Sequence, residues 1–98
     1  MLKVLRVVGE SLAPEITEGD FVVLLKIPFS FNFIKPGSVV AFYNPDHGVL
    51  IKRVAQVDNG KDRFFVLGTN DLSLDSRRLG WIDHADLVGK VIWHIKQR

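Results

Sequence analysis

Residues 38–57, SVVAFYNPDHGVLIKRVAQV, read as two apolar runs on either side of a turn. Ser38–Tyr43 and Val49–Val57 are rich in β-branched and aromatic residues, the types that suit a pleated surface. Between them Asn44-Pro45-Asp46-His47-Gly48 has turn chemistry throughout, so the spacing predicts a hairpin with a five-residue connection. The same grammar repeats outward. Asp58–Asp62 turns the chain into Arg63–Leu67 (RFFVL), and upstream Lys3–Val8 and Phe21–Lys26 are further apolar runs of strand length. Val88–Ile95 closes the set, with a single turn expected at Asp83–Asp86. Ser11–Gly19 reads as a turn with one helical turn at Pro14–Thr17, and Gly68–Gly80 as a polar, irregular loop. No helix-period pattern of useful length and no repeat interrupts this series. The prediction is one all-β, mainly antiparallel domain over residues 1–98, a folded sheet or barrel with little helix.

Composition narrows the function. A length of 98 residues suits one core, and a net charge of +2 with scattered basic residues argues against nucleic acid as partner. The absence of cysteine removes disulfides and thiolate metal sites, and His47, His84 and His94 lack metal-ligand spacing, so they read as surface or structural residues. No stretch approaches the roughly 20 apolar residues that span a bilayer. The chain as given is therefore expected to be soluble, cytoplasmic or peripheral to a membrane.

Two stretches carry candidate chemistry. In Gly9-Glu10-Ser11-Leu12-Ala13-Pro14 an apolar run ends at a glycine, a serine follows, and Pro14 restricts the backbone beyond it. A serine on such a turn has the placement of a nucleophile, with backbone N–H groups free to face a substrate oxygen; it is equally the placement of a turn serine bonding its own backbone. In Leu50-Ile51-Lys52-Arg53-Val54 the lysine shares a face with Leu50 and Val54. A lysine on an apolar face is pushed toward its neutral form and can act as a general base, unless it snorkels to solvent from an edge. A third stretch, Ser73-Leu74-Asp75-Ser76-Arg77, is either a self-tied polar loop or one fixed by an Asp75–Arg77 pair that leaves Ser73 free to bond another group.

Ser11 with Pro14 and Gly19-Asp20, then Pro36-Gly37-Ser38-Val39-Val40, Ile51-Lys52-Arg53-Val54, the SxDSR run ending at Arg77 with Gly80, and Val88-Gly89-Lys90-Val91 stand in the order found in type I signal peptidases. The chain resembles that family from Val8 to Val91, and in its size and lack of an anchor it is similar to the maturation peptidases of nickel-type superoxide dismutase. Related self-cleaving repressor peptidases share the serine region and a lysine. The resemblance implies a serine endopeptidase on a mostly β fold that removes an N-terminal signal or leader segment, without metal or cofactor. Ser11 would be the nucleophile and Lys52 the general base. Ser73 would hold the Lys52 amine, and Asp75 with Arg77 would brace that loop. Val7, Leu12, Ile16, Leu50 and Ile51 match positions lining small P1 and P3 pockets, with a protein or peptide substrate lying extended between the strand before Ser11 and the strand of Lys52.

Some residues depart from the family pattern. Gly9 stands where some relatives carry a serine that donates to the oxyanion, and Leu12 replaces the usual methionine after the nucleophile. Gly68-Thr69-Asn70 replaces a Gly-Asp-Asn. Phe29, Phe31 and Phe33 alternate along Ile27–Ile34, where signal peptidases carry an apolar surface that dips into the bilayer. The expectation is peripheral membrane contact or self-association through these rings, against the alternative that they fill the core. Two other function classes stand beside the peptidase: a non-catalytic module that binds extended peptides, and a self-processing domain of the repressor type.

Overall fold

The apolar runs become strands because each can bury alternate side chains against a neighbour across turn-rich connections. The computed structural model describes residues 2–8, 12, 15–26, 34–68 and 74–97. Its strands are β1 (Leu2–Arg6), β2 (Phe21–Leu25), β3 (Val39–Asn44), β4 (Gly48–Asp58), β5 (Arg63–Leu67), β6 (Ile82–Asp83) and β7 (Leu87–Ile95). A four-residue helix, α1 (Ser76–Leu79), lies between β5 and β6, and a 3₁₀ turn (His84–Asp86) precedes β7. The strands form a single sheet in the order β1-β2-β7-β3-β4-β5-β6, and every neighbouring pair is antiparallel. This is the all-β, antiparallel fold that the sequence predicts.

Both faces of the central strand β3 are covered. Val40 and Phe42 join Ile34, Val54, Phe64, Val66, Ile82 and Leu87 in one apolar cluster, with the Phe42 and Phe64 rings packed edge to face. Ala41, pointing the other way, joins Val7, Leu12, Ile16, Val22 and Leu24 in a second. Gly89 of β7 lies hard against β2: a Cβ there would sit 2.9 Å from the Leu24 Cβ. The register slips against β7 at Val23/Leu24 and at Ala41/Phe42, and between β4 and β5 at Val54/Gln56. Such bulges bend a sheet and increase its twist. Although β1 and β4 are far apart in strand order, the curved sheet brings the end of β1 opposite the start of β4.

The hairpin differs from its sequence reading in one respect. Asn44 pairs with Gly48, so the connection is the three residues Pro45–His47 rather than five. The Asn44 Oδ1 accepts from the amides of Asp46 (2.9 Å) and His47 (3.1 Å), and Gly48 takes φ +75°, which lets the ladder run to the turn's base. The short helix α1 falls in the Gly68–Gly80 stretch read as an irregular loop, while β6 covers Ile82 and Asp83, the first residue of the turn expected at Asp83–Asp86.

Candidate active site

Lys52 stands in the middle of β4, 4% exposed, directly across from Val40 of β3. Alternation forces this: Leu50, Lys52 and Val54 share a face, and that face packs on the first apolar cluster. Burial pushes the Lys52 amine below its ordinary value, because the charged form loses water; the negative charge of Asp75 opposes the shift without cancelling it. Among the described residues no carboxylate forms an ion pair with this amine.

The lysine opens onto a cleft of about 290 Å³. One wall is Leu5–Val8 with Leu12 and Ile16; the other is Val49–Lys52. Both walls are strand borders. Among the described residues β1 has a neighbour only at β2, and β4 pairs with β3 from Gly48 onward but with β5 only from Arg53. All five positions matched to P1 and P3 pockets by resemblance (Val7, Leu12, Ile16, Leu50 and Ile51) line this cleft with Lys52. Ser11, Gly9, Ser73 and the three rings Phe29, Phe31 and Phe33 lie outside the described residues. Val8 and Leu12, which flank the Ser11 region in sequence, both contribute to the cleft wall.

Behind Lys52, Asp75 is fully buried at the N-cap of α1. Its carboxylate accepts from the Gly68 amide (2.9 Å), the Arg77 amide (3.0 Å), and the Arg77 Nε (3.1 Å) and Nη2 (2.8 Å). Burial alone would raise its pKa. The Arg77 guanidinium and the two backbone donors outweigh burial and bring it down to about 2. The neighbouring Ser76 hydroxyl, also buried, accepts from the Val66 amide at 2.9 Å and stitches α1 to β5.

Two further contacts brace the segment after Leu12, and the sequence reading contains neither. Glu15 forms an ion pair with Arg53, the residue after Lys52, whose guanidinium also donates to the Gly37 carbonyl at 2.9 Å. Asp20, which enters the sequence reading only as part of the Gly19-Asp20 motif, is a buried hub. It accepts from the Thr17 amide (3.1 Å), the Gln97 amide (2.9 Å) and the His94 ring (2.7 Å). Those donors hold its carboxyl far below the ordinary range, the Gln97 bond contributing most. The local signal was present, a carboxylate at the mouth of an apolar strand. Its partners at separations of 74 and 77 residues left no local trace.

The structure thus brings together a buried lysine, a strand-bordered apolar cleft and a braced acidic loop, and the sequence model of the peptidase S24-like family matches residues 1–92. The chain belongs to the peptidase S24-like family. Membership supports a peptidase or self-cleaving, repressor-like activity for this fold, and it is broader than the signal-peptidase assignment made from the motifs. The search of curated proteins gives no match to this S24-like chain. No helix among its described residues is long and apolar enough to cross a membrane.

Proposed function

We propose that this S24-like chain is a serine endopeptidase in which Ser11 and Lys52 form the catalytic dyad, acting on an N-terminal signal or leader segment of another protein. The observation that carries the reading is Lys52: an amine desolvated on an apolar face that lines the same cleft as Val7, Val8 and Leu12. A substrate strand entering between β1 and the first half of β4 would add to their borders by main-chain hydrogen bonds. The small, apolar cleft suits alanine-like side chains beside the scissile bond.

The Ser11 Oγ attacks the scissile carbonyl carbon as the neutral Lys52 Nζ takes its proton, giving a tetrahedral oxyanion beside backbone N–H donors at the Ser11 turn. Collapse breaks the C–N bond, and Lys52 returns the proton to the departing amine. Water, deprotonated by Lys52, then attacks the acyl-enzyme, and the proton goes back to Ser11 as the leader acid leaves. Ser73 would orient the Lys52 amine, with Asp75 and Arg77 holding that loop.

The test is cleavage of a leader peptide carrying alanine at P1 and P3, by wild type and by Ser11→Ala. Wild type should cleave, with a rate that rises with pH as Lys52 loses its proton, and Ser11→Ala should fall by about a thousandfold or more. A pH-independent rate from mildly acidic to alkaline solution would rule out the lysine base. The family match also supports a self-processing reading: first-order cleavage of the chain's own polypeptide, independent of its concentration, would favour that over action on a separate substrate.

A further inference from the structure

The buried carboxylate of Asp20 lies outside the cleft, and nothing in the catalytic sequence uses it. Its three side-chain hydrogen bonds join two distant parts of the molecule. On one side is the segment that leads from the Ser11 turn into β2, through the Thr17 amide; on the other are the end of β7 and the residues just beyond it, through His94 and Gln97. With the carboxyl held ionised, the His94 Nε2–H must be the donor.

The main chain reinforces the same joint. The Val7 amide donates to the Asp20 carbonyl at 2.7 Å, the Gly19 amide donates to the Val7 carbonyl at 2.9 Å, and the Ile16 amide donates to the Leu12 carbonyl at 3.0 Å. Gly19, at φ +93°, holds a backbone conformation that side-chain-bearing residues rarely adopt, and the Gln97 side chain lies over it; a Cβ there would stand 2.2 Å from Gln97 Oε1. The cleft residues Val7, Leu12 and Ile16 are thus tied, through Asp20 and Gly19, to residues 94–97. Those residues lie past the end of the family match at residue 92.

We infer that the segment His94–Gln97 is a clamp that, through Asp20, positions the cleft-wall residues Val7, Leu12 and Ile16. The inference rests on the Ser11–Lys52 reading for its catalytic consequence, while its mechanical content stands by itself. His94, Gln97 and Asp20 are positioning residues. They fix where the Leu12–Ile16 side of the cleft stands against the Lys52 side and touch no substrate.

The test separates the two. Gln97→Pro deletes the N–H that bonds Asp20, at an exposed position beyond the end of β7, and Gln97→Ala keeps it. His94→Leu removes the ring donor and His94→Gln restores an amide donor. Loss of a hydrogen bond to a charged group should speed exchange of the Ile16, Thr17, Gly19 and Asp20 amides about tenfold in Gln97→Pro and His94→Leu. On a leader peptide, kcat should fall by a similar factor, about tenfold, with KM changed less than about twofold. Gln97→Ala should match wild type, and His94→Gln should recover most of the loss. Unchanged amide exchange in both Gln97→Pro and His94→Leu overturns the clamp, and so does faster exchange with unaltered kcat. Failure of wild type to cleave any leader peptide sinks the dyad reading instead, and the exchange data then decide the clamp alone.

Discussion

Replacing Lys52 by methionine should make the protein more stable at neutral pH while abolishing cleavage. The lysine stem is enclosed between Val40, Leu50 and Val54, and only 4% of the residue meets solvent. Methionine has nearly the same length and can follow the same path, so no cavity opens. What disappears is the work of holding an amine away from water without a carboxylate, among the described residues, at ion-pair distance. Exchanging a buried charge for an apolar group of similar volume is expected to gain about 1–2 kcal/mol. In a chain of 98 residues that is about 4–8 °C in Tm for each kcal/mol.

The pH dependence makes this prediction specific. The folded-state pKa of Lys52 lies below its unfolded value of 10.5, so between the two the unfolded chain holds more protons and stability rises with pH. The penalty is therefore fully present at low pH and vanishes above about 10.5. The stability gap between Lys52→Met and wild type should be widest at acidic and neutral pH. It should then close toward alkaline pH with a slope of at most about 1.4 kcal/mol per pH unit, the limit for one proton. Urea unfolding from pH 6 to 10, monitored by the fluorescence of Trp81 packed on Phe65 and Arg63, would read it. A Lys52→Met protein less stable than wild type at pH 7, or a gap that ignores pH, would refute the claim that the amine is desolvated.

Asp75→Asn turns one acceptor oxygen into a donor facing Gly68 or Arg77, and should cost about 2–4 kcal/mol by urea unfolding. The stability that Asp75 contributes is complete above its ordinary pKa of 3.8 and is lost as pH falls toward about 2; the variant should therefore show a smaller loss on acidification than wild type. Gly89→Ala drives a methyl into the Leu24 Cβ across the β2–β7 contact and should cost about 1–3 kcal/mol, measured the same way. Phe64→Ala empties the centre of the first cluster, beside Phe42, and should cost about 3–5 kcal/mol or prevent folding.

The strands were legible because apolar, β-branched runs between turn residues leave few alternatives, and Lys52 was legible because alternation alone puts it on the apolar face. The cleft walls were not readable from pattern. Val7, Leu12, Ile16, Leu50 and Ile51 came through family resemblance, since nothing local says that β1 faces β4 across a curved sheet. The bracing contacts went unseen for the same reason. Asp20 needs a partner at residue 94, Glu15 one at residue 53, and Ser76 one on β5, and a single sequence carries no sign of pairings at such range. His94 read as surface or structural because it lacked metal-ligand spacing, which says nothing about a single buried carboxylate waiting for it.

The strand order also governs when this protein can fold. β7, the last in chain order of the seven described strands, sits between β2 and β3. Until it is synthesised the chain consists of two separate patches, β1 with β2 and β3 through β6, each able to pair within itself and each ending in a bare hydrogen-bonding edge. The sheet closes only when the C-terminal residues insert between them, so contacts separated by most of the chain must form together, a topology associated with slow folding. A nascent chain arrested before Leu87 would display both edges at once and be prone to pair with its neighbours. Synthesis of β7, rather than emergence of the site residues, is the event that closes the sheet.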